Sequence, residues 1–138
     1  MYLGIEIGGT KLQLGIGDGT GGSLAALERR DVELSRGAAG IRQQIEETGQ
    51  QLLRQYDVQS IGIGFGGPLD RTRGTIIRSF HVEGWDGFAL RSWCQDTLQR
   101  PTVIENDANA AGLGEARYGA GRDAGVVFYS NIGTGIGG

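Results

Sequence analysis

The stretch Gly4-Ile5-Glu6-Ile7-Gly8-Gly9-Thr10-Lys11-Leu12 constrains the fold more than any other segment. A short apolar strand runs into a Gly-Gly-Thr turn and straight out into a second strand, in which Leu12, Leu14 and Ile16 alternate with Gln13, Gly15 and Gly17. Such a hairpin offers bare backbone N–H groups and a hydroxyl to an anion, because glycine carries no Cβ to hold a phosphate away. It is not a P-loop, which needs Gly-Lys-Ser/Thr opening a helix, whereas here Thr10 precedes Lys11 and a strand follows. An ordinary tight hairpin turn uses the same residues, so the segment alone leaves both open.

Glycine supplies 27 of the 138 residues, against a typical usage of roughly 7%. No Gly-X-Y period accompanies it. The glycines gather at Gly8-Gly9, at Gly62, Gly64 and Gly66-Gly67, and at Gly133, Gly135 and Gly137-Gly138, each group following a strand-like apolar run. Loops at strand ends where side chains would obstruct a ligand account for that placement. Both Gly62/Gly64/Gly67 and Gly133/Gly135/Gly138 fit Gly-x-Gly-x-x-Gly, but Pro68 and the Asp70-Arg71-Thr72-Arg73-Gly74 turn follow the first where a dinucleotide fold needs a helix.

The pattern predicts strands over 2–7, 11–17 and 24–34 and a helix over 37–56. A strand follows at 61–65, a turn at 68–70, a short strand at 75–78 and a helix at 87–98 burying Leu90, Trp93, Cys94 and Leu98. A strand at 102–105, a helix from Asp107 to about Arg117 with Ala and Gly on its packing face, and a strand over 124–130 complete the chain. Length suits one domain with a real core. A net charge of −3 and a pI near 5.1 leave no basic patch, so no nucleic acid and no membrane partner is expected. No stretch reads as a membrane span or signal peptide, which makes the cytoplasm the expected location. Cys94, the single cysteine, excludes an intrachain disulfide and any Cys-based zinc site within this chain, and fits core packing.

Glu105-Asn106-Asp107 carries the chemistry. A strand ends and a helix begins there, so Asp107 lies where the helix dipole and free amides favour an anion, and a carboxylate so placed can accept a proton from a substrate hydroxyl. Asn106 or Asp107 acting simply as an N-cap is the structural use of the same residues. Two Gly-Thr loops able to hold phosphate, with one carboxylate between them in sequence, are the parts needed for phosphoryl transfer to an alcohol.

Six segments together resemble the N-terminal half of a ROK-family sugar kinase, within the actin/hexokinase/Hsp70 (ribonuclease H-like) ATPase superfamily. They are Gly4 to Lys11, Gly62 to Asp70, Gly84-Trp85, Glu105 to Ala111, Gly114-Glu115 and Gly133 to Gly138, in the family's order over the whole chain. The resemblance implies an α/β, ribonuclease H-like (actin-like ATPase superfamily) domain, a mixed sheet with an antiparallel three-stranded start and helices packed on it. It implies ATP and Mg2+ as cofactors and ATP-dependent phosphorylation of a hexose hydroxyl. Gly8, Gly9, Thr10 and Lys11 with Gly133, Thr134 and Gly135 would flank the ATP phosphates. Gly66, Gly67, Pro68 and Asn106 would contact the sugar, and Asp107 would be the catalytic base. Glu6 stands where the family usually has Asp, the carboxylate that helps organise magnesium. Where the family often places an amide side chain before Gly-Trp, this chain reads Phe80-His81-Val82-Glu83; His81 can hydrogen-bond a sugar hydroxyl, although a lone loop histidine is more often just partly solvated. Glu115 and Arg117 fit a solvated helix face.

The expected layout is an actin-like ATPase/sugar kinase domain over 1–123 and, over 124–138, the first strand and phosphate loop of a second domain whose remainder is absent. The isolated chain is then expected to be inactive, with the function belonging to a longer, homodimeric kinase. The competing expectation is a non-catalytic sugar-binding regulator, as in the family's repressors or a degenerate kinase; retention of Asp107 favours the enzyme.

Overall fold

The structure is a computed structural model that describes residues 1–132 and 136–138. Three strands open the chain as an antiparallel meander: β1 (Tyr2–Ile7), β2 (Lys11–Gly17) and β3 (Ala26–Asp31). Helix α1 (Gly37–Gln55) then carries the chain back to β4 (Ser60–Phe65), which lies parallel to β1, and α2 (Leu90–Leu98) leads to β7 (Thr102–Asn106), parallel to β4. The resulting five-stranded mixed sheet has the order β3-β2-β1-β4-β7. Between β4 and α2, β5 (Leu69–Asp70) and β6 (Thr75–Ile76) form a small hairpin. Helix α3 (Asp107–Tyr118) leaves directly from β7.

Alternation decides which face is the core. Leu3, Ile5 and Ile7, then Leu12, Leu14 and Ile16, then Ile61, Ile63 and Phe65 all point to one side, where Ile41, Ile45 and Leu52 of α1 and Leu90, Cys94 and Leu98 of α2 close over them. The opposite side presents Gly4, Glu6, Gln13, Gly15, Gly62, Gly64 and Glu105. Glycine inside α1 also has a packing reason: a methyl on Gly49 would come within 2.9 Å of Leu98, so the missing Cβ is what brings α1 against α2.

Several sequence expectations shift. The third strand is shorter than 24–34, because a 3-10 turn at Leu34–Arg36 ends it and leads into α1. Helix α2 begins at Leu90 rather than 87, since Gly87 sits in a turn at φ +73°. Residues 69–70 pair with 75–76 instead of forming only a turn. Trp93 is half-buried, packed on Phe88 at 6.0 Å between ring centroids. In α3 only Ala108 is buried, and Gly112 packs against Tyr129 rather than against the sheet.

The strand expected over 124–130 does not form. No other strand of the described residues lies beside it to complete a ladder, and Val126 and Phe128 are 92% and 91% exposed. Only Asn131–Ile132 (β8) pairs, with Ile136–Gly137 (β9).

Candidate active site

Register places the candidate residues. In β1, β4 and β7 the residues Ile7, Phe65 and Asn106 stand side by side in one row, and all three strands run the same way. The segments that follow them therefore leave one sheet edge in sequence: Gly8 to Lys11, Gly66 to Pro68, and Asp107. Neighbouring strands are about 4.8 Å apart, but Asp107 leans back over the middle strand: a methyl on Gly66 would lie 3.3 Å from its Oδ2 and 3.4 Å from the Ile7 carbonyl, so the carboxylate stands within about 7 Å of the end of β1. This is the carboxyl edge at which open α/β sheets bind ligands.

The first loop is a two-residue connection, Gly9-Thr10, closed by the Gly8 amide donating to the Lys11 carbonyl at 3.0 Å. Neither glycine has a positive φ. What they allow is close approach: a methyl on Gly8 would lie 3.1 Å from the Lys11 carbonyl, and one on Gly9 3.1 Å from the His81 Cβ. Thr10 and Lys11, the single lysine of the chain, are exposed.

Asp107 stands over the second loop. Its Oδ2 lies 3.3 Å from where a methyl on Gly66 would be, and its Cα 3.5 Å from a methyl on Gly64, so the bare strand end lets the first turn of α3 settle onto β4. Asn106 is the N-cap, its Oδ1 accepting from the amides of Ala108 (3.0 Å) and Asn109 (3.2 Å). Its Nδ2 donates to the Gly67 carbonyl at 3.3 Å and more distantly to that of Phe65. One side chain thus ties the start of α3 to the Gly66–Pro68 loop, while Asp107 is left in the first turn, where the dipole favours its charge.

Two residues not singled out as ligands support this arrangement. Glu105 accepts from the Asn106 amide (2.9 Å) and the Asn109 side chain (3.1 Å) and pairs with Arg71 at 2.9 Å, joining the turn after β5 to the end of β7. Burial pushes its pKa up, but the hydrogen bonds from Asn109 and Asn106 and the Arg71 charge outweigh that and hold it below the usual carboxylate range. Gln13 donates to Glu6 at 2.6 Å and accepts from Arg29 at 2.8 Å, a ladder across β1, β2 and β3. That contact was within reach of the sequence, since a two-residue loop at Gly9-Thr10 sets Glu6 opposite Gln13.

Glu6 shares a row with Gly64 and Glu105, on the face that Asp107 overhangs. Magnesium in nucleotide sites takes one or two carboxylates, substrate phosphates and waters, and an exposed Glu6 one pleat from the first loop fits that role. Among the described residues no group of three His, Cys, Asp or Glu side chains could cage a metal by itself.

His81 is held on a pinned loop. Ser79 Oγ accepts from the Val82 amide (3.2 Å), Asp86 accepts from the Ser79 amide (2.8 Å), and the Glu83 carbonyl caps α1 by accepting from Ala38 (2.8 Å). With Val82 and Trp85 buried after it in the chain, His81 rests on Gly9, its Cβ 3.1 Å from where a methyl on that glycine would be. The second expected phosphate loop, Gly133, Thr134 and Gly135, lies outside the described residues.

A mixed sheet opened by a three-stranded meander, with both loops and a helix-start carboxylate on one edge, has the actin-like ATPase fold found in ROK sugar kinases. The chain belongs to the ROK family, whose family model matches residues 2–138. It is 30% identical over 138 residues to a glucokinase of Streptomyces coelicolor, covering all of this chain and 42% of that protein. The structure of a ROK family glucokinase from Streptomyces griseus in complex with glucose and AMPPNP is 32% identical, with a TM-score of 0.80 over 88% of this chain and 38% of that one. That of an inorganic polyphosphate/ATP-glucomannokinase from an Arthrobacter strain is 30% identical, with a TM-score of 0.85 over 99% of this chain and 56% of that one. The chain spans about two fifths of the length of the curated relatives it matches. No helix among the described residues is long and apolar enough to cross a membrane.

Proposed function

We propose that this chain forms one wall of the cleft of an ATP-dependent hexose kinase of glucokinase type. The observation that carries the reading is the row Ile7–Phe65–Asn106, from whose ends the Gly8–Lys11 loop and the overhanging Asp107 both come to the Gly66–Pro68 loop. A sugar seated on the middle loop would have a carboxylate on one side and a phosphate cradle on the other, as in-line transfer requires.

In this mechanism the Asp107 carboxylate accepts the proton of the sugar hydroxyl as its oxygen attacks the γ-phosphorus. The new P–O bond forms as the bond to the β-phosphate oxygen breaks, and ADP leaves. The Gly8 and Gly9 backbone, the Thr10 hydroxyl and the Lys11 ammonium stabilise charge on the phosphates, with Gly133 to Gly135 assigned to the same task. Gly66, Gly67, Pro68, His81 and Asn106 orient the sugar. Glu6 would hold magnesium, which when bound neutralises phosphate charge. Glu105 and Arg71 keep the carboxyl edge in register.

The test is a coupled ADP-release assay on a protein that carries both walls of the cleft, with ATP, magnesium and a panel of hexoses, beside calorimetric sugar binding. Sugar-dependent ADP release lost in Asp107→Asn supports the kinase. Sugar binding with no turnover under any condition would instead support a sugar-binding regulator.

A further inference from the structure

One row of side chains crosses all five strands on the face turned away from the core. Register sets Arg29 of β3 beside Gln13 of β2, Gln13 beside Glu6 of β1, Glu6 beside Gly64 of β4, and Gly64 beside Glu105 of β7. The two carboxylates of the row flank the bare glycine that Asp107 overhangs, and they are held in different ways. Glu105 accepts from two amide groups and is paired with the Arg71 guanidinium, so its charge is met within the protein. Glu6 receives one neutral donor, the Gln13 side-chain amide at 2.6 Å, on Oε2. Among the described residues Oε1 has no partner, and no cation lies within ion-pair distance of the carboxylate.

Gln13 can stand only one way round. A guanidinium donates and never accepts, and a carboxylate accepts and never donates, so an amide between them must turn its oxygen to Arg29 and its nitrogen to Glu6. Arg29 Nε donates to Gln13 Oε1 at 2.8 Å in that sense. Turning the amide over would lose both bonds and set its oxygen against the Glu6 anion. An exposed glutamate is otherwise free to change rotamer, and this one could swing across Gly64, which has no side chain to stop it, toward Asp107. A lysine or arginine at position 13 would also hold it, but would cancel the charge that a cation needs. Glutamine holds it and leaves the charge intact.

We propose that Gln13 is the positioning residue of the metal carboxylate: braced by Arg29, it anchors one oxygen of Glu6 on the β2 side and keeps the other for the divalent cation that accompanies the nucleotide. The inference rests on the kinase reading, in which Glu6 holds magnesium, and adds to it the two residues that aim Glu6. Partners of this kind, bonded to a metal's ligand and not to the metal, carry about tenfold or more in metal affinity. A ladder that served the sheet alone would, on its loss, lower the melting temperature and leave the site untouched.

Manganese serves as the probe. Its binding in the presence of AMPPNP is read from loss of the free-ion signal in electron paramagnetic resonance, on a protein that carries both walls of the cleft and without turnover. Gln13→Leu should weaken manganese binding about tenfold and Arg29→Leu about threefold, with sugar affinity by calorimetry within about twofold of wild type. Manganese affinity unchanged in Gln13→Leu, or an equal loss of sugar affinity, would overturn the proposal. Glu6→Asp supplies the control: it draws the carboxylate back by one carbon–carbon bond, about 1.5 Å, out of hydrogen-bond reach of Gln13. Adding Gln13→Leu to Glu6→Asp should then change manganese affinity by less than about twofold. A full loss in that background would mean that Gln13 acts by another route, and refutes the ladder. Wild-type protein that binds no manganese with AMPPNP would overturn the kinase reading and this proposal together, whereas an unaffected Gln13→Leu overturns the proposal and leaves the kinase reading standing.

Discussion

The two adjacent glycines of the middle loop should respond very differently to one added methyl. On Gly67 it would lie 3.0 Å from the Arg78 carbonyl and 3.0 Å from Phe65 Cε1, about half an ångström inside ordinary contact. Neither neighbour yields readily, since one is backbone and the other a buried ring locked edge-on against Trp85. The loop must therefore move, at an overpacking cost of about 1–3 kcal/mol. If a 1 Å misplacement of bound substrate costs on the order of a hundredfold, half that displacement costs on the order of tenfold in kcat/KM. On Gly66 the methyl would meet Asp107 Oδ2 at 3.3 Å and the Ile7 carbonyl at 3.4 Å, distances that a small rotation of a half-exposed carboxylate relieves. Gly67→Ala should thus lose about tenfold in kcat/KM and lower the unfolding free energy, while Gly66→Ala stays within about threefold and about 0.5 kcal/mol of wild type. Steady-state kinetics over a hexose series and denaturant titrations on both variants decide it. Equal behaviour of the two, in either direction, would refute the argument from contact distances.

Four further outcomes are expected. Asp107→Asn should abolish transfer, by more than about a hundredfold in kcat, and leave sugar affinity within a few-fold by calorimetry; retention of more than about a tenth of kcat excludes it as the base. Glu6→Gln should raise the magnesium requirement and the KM for ATP more than the KM for sugar, and an effect on sugar alone would contradict the metal assignment. Gly37 starts α1 at φ +55° with the Glu83 carbonyl 2.9 Å from any added methyl, so Gly37→Ala should destabilise the fold by about 2 kcal/mol or more, read by thermal melting. Burial pushes the Cys94 thiol up to about 11 from 9.0. The folded protein then holds a proton that the unfolded chain releases, so stability is intact below pH 9 and falls by roughly 2–3 kcal/mol as pH rises toward 11. Cys94→Ala should flatten that part of the stability profile relative to wild type.

Much of the site was legible because it depends on backbone periodicity. Alternation in Leu12, Leu14 and Ile16 fixed β2, the two-residue loop set its register on β1, and Asn106-Asp107 marked the start of α3. Asn106's use of both ends of its amide was not legible, since a cap preference describes one end and the tether to Gly67 depends on a residue 39 positions away. The same limit hid Arg71 on Glu105 and the seat of His81 on Gly9, both products of long-range packing. At 124–130 the apolar run was real but misled, because consecutive apolar residues report a segment that wants burial and cannot report whether a pairing neighbour exists.

Strand β4 lies inside the sheet with a paired neighbour on each edge, and the middle loop of the candidate site grows directly from its end. Such interior strands are the last to open in native-state hydrogen exchange. The binding floor is thereby attached to the slowest-opening part of the molecule, while β3 and the chain beyond α3 can fray without disturbing it. On heating, the proposed site should therefore keep its shape until the sheet itself melts, with local loosening at the periphery passing unnoticed by it.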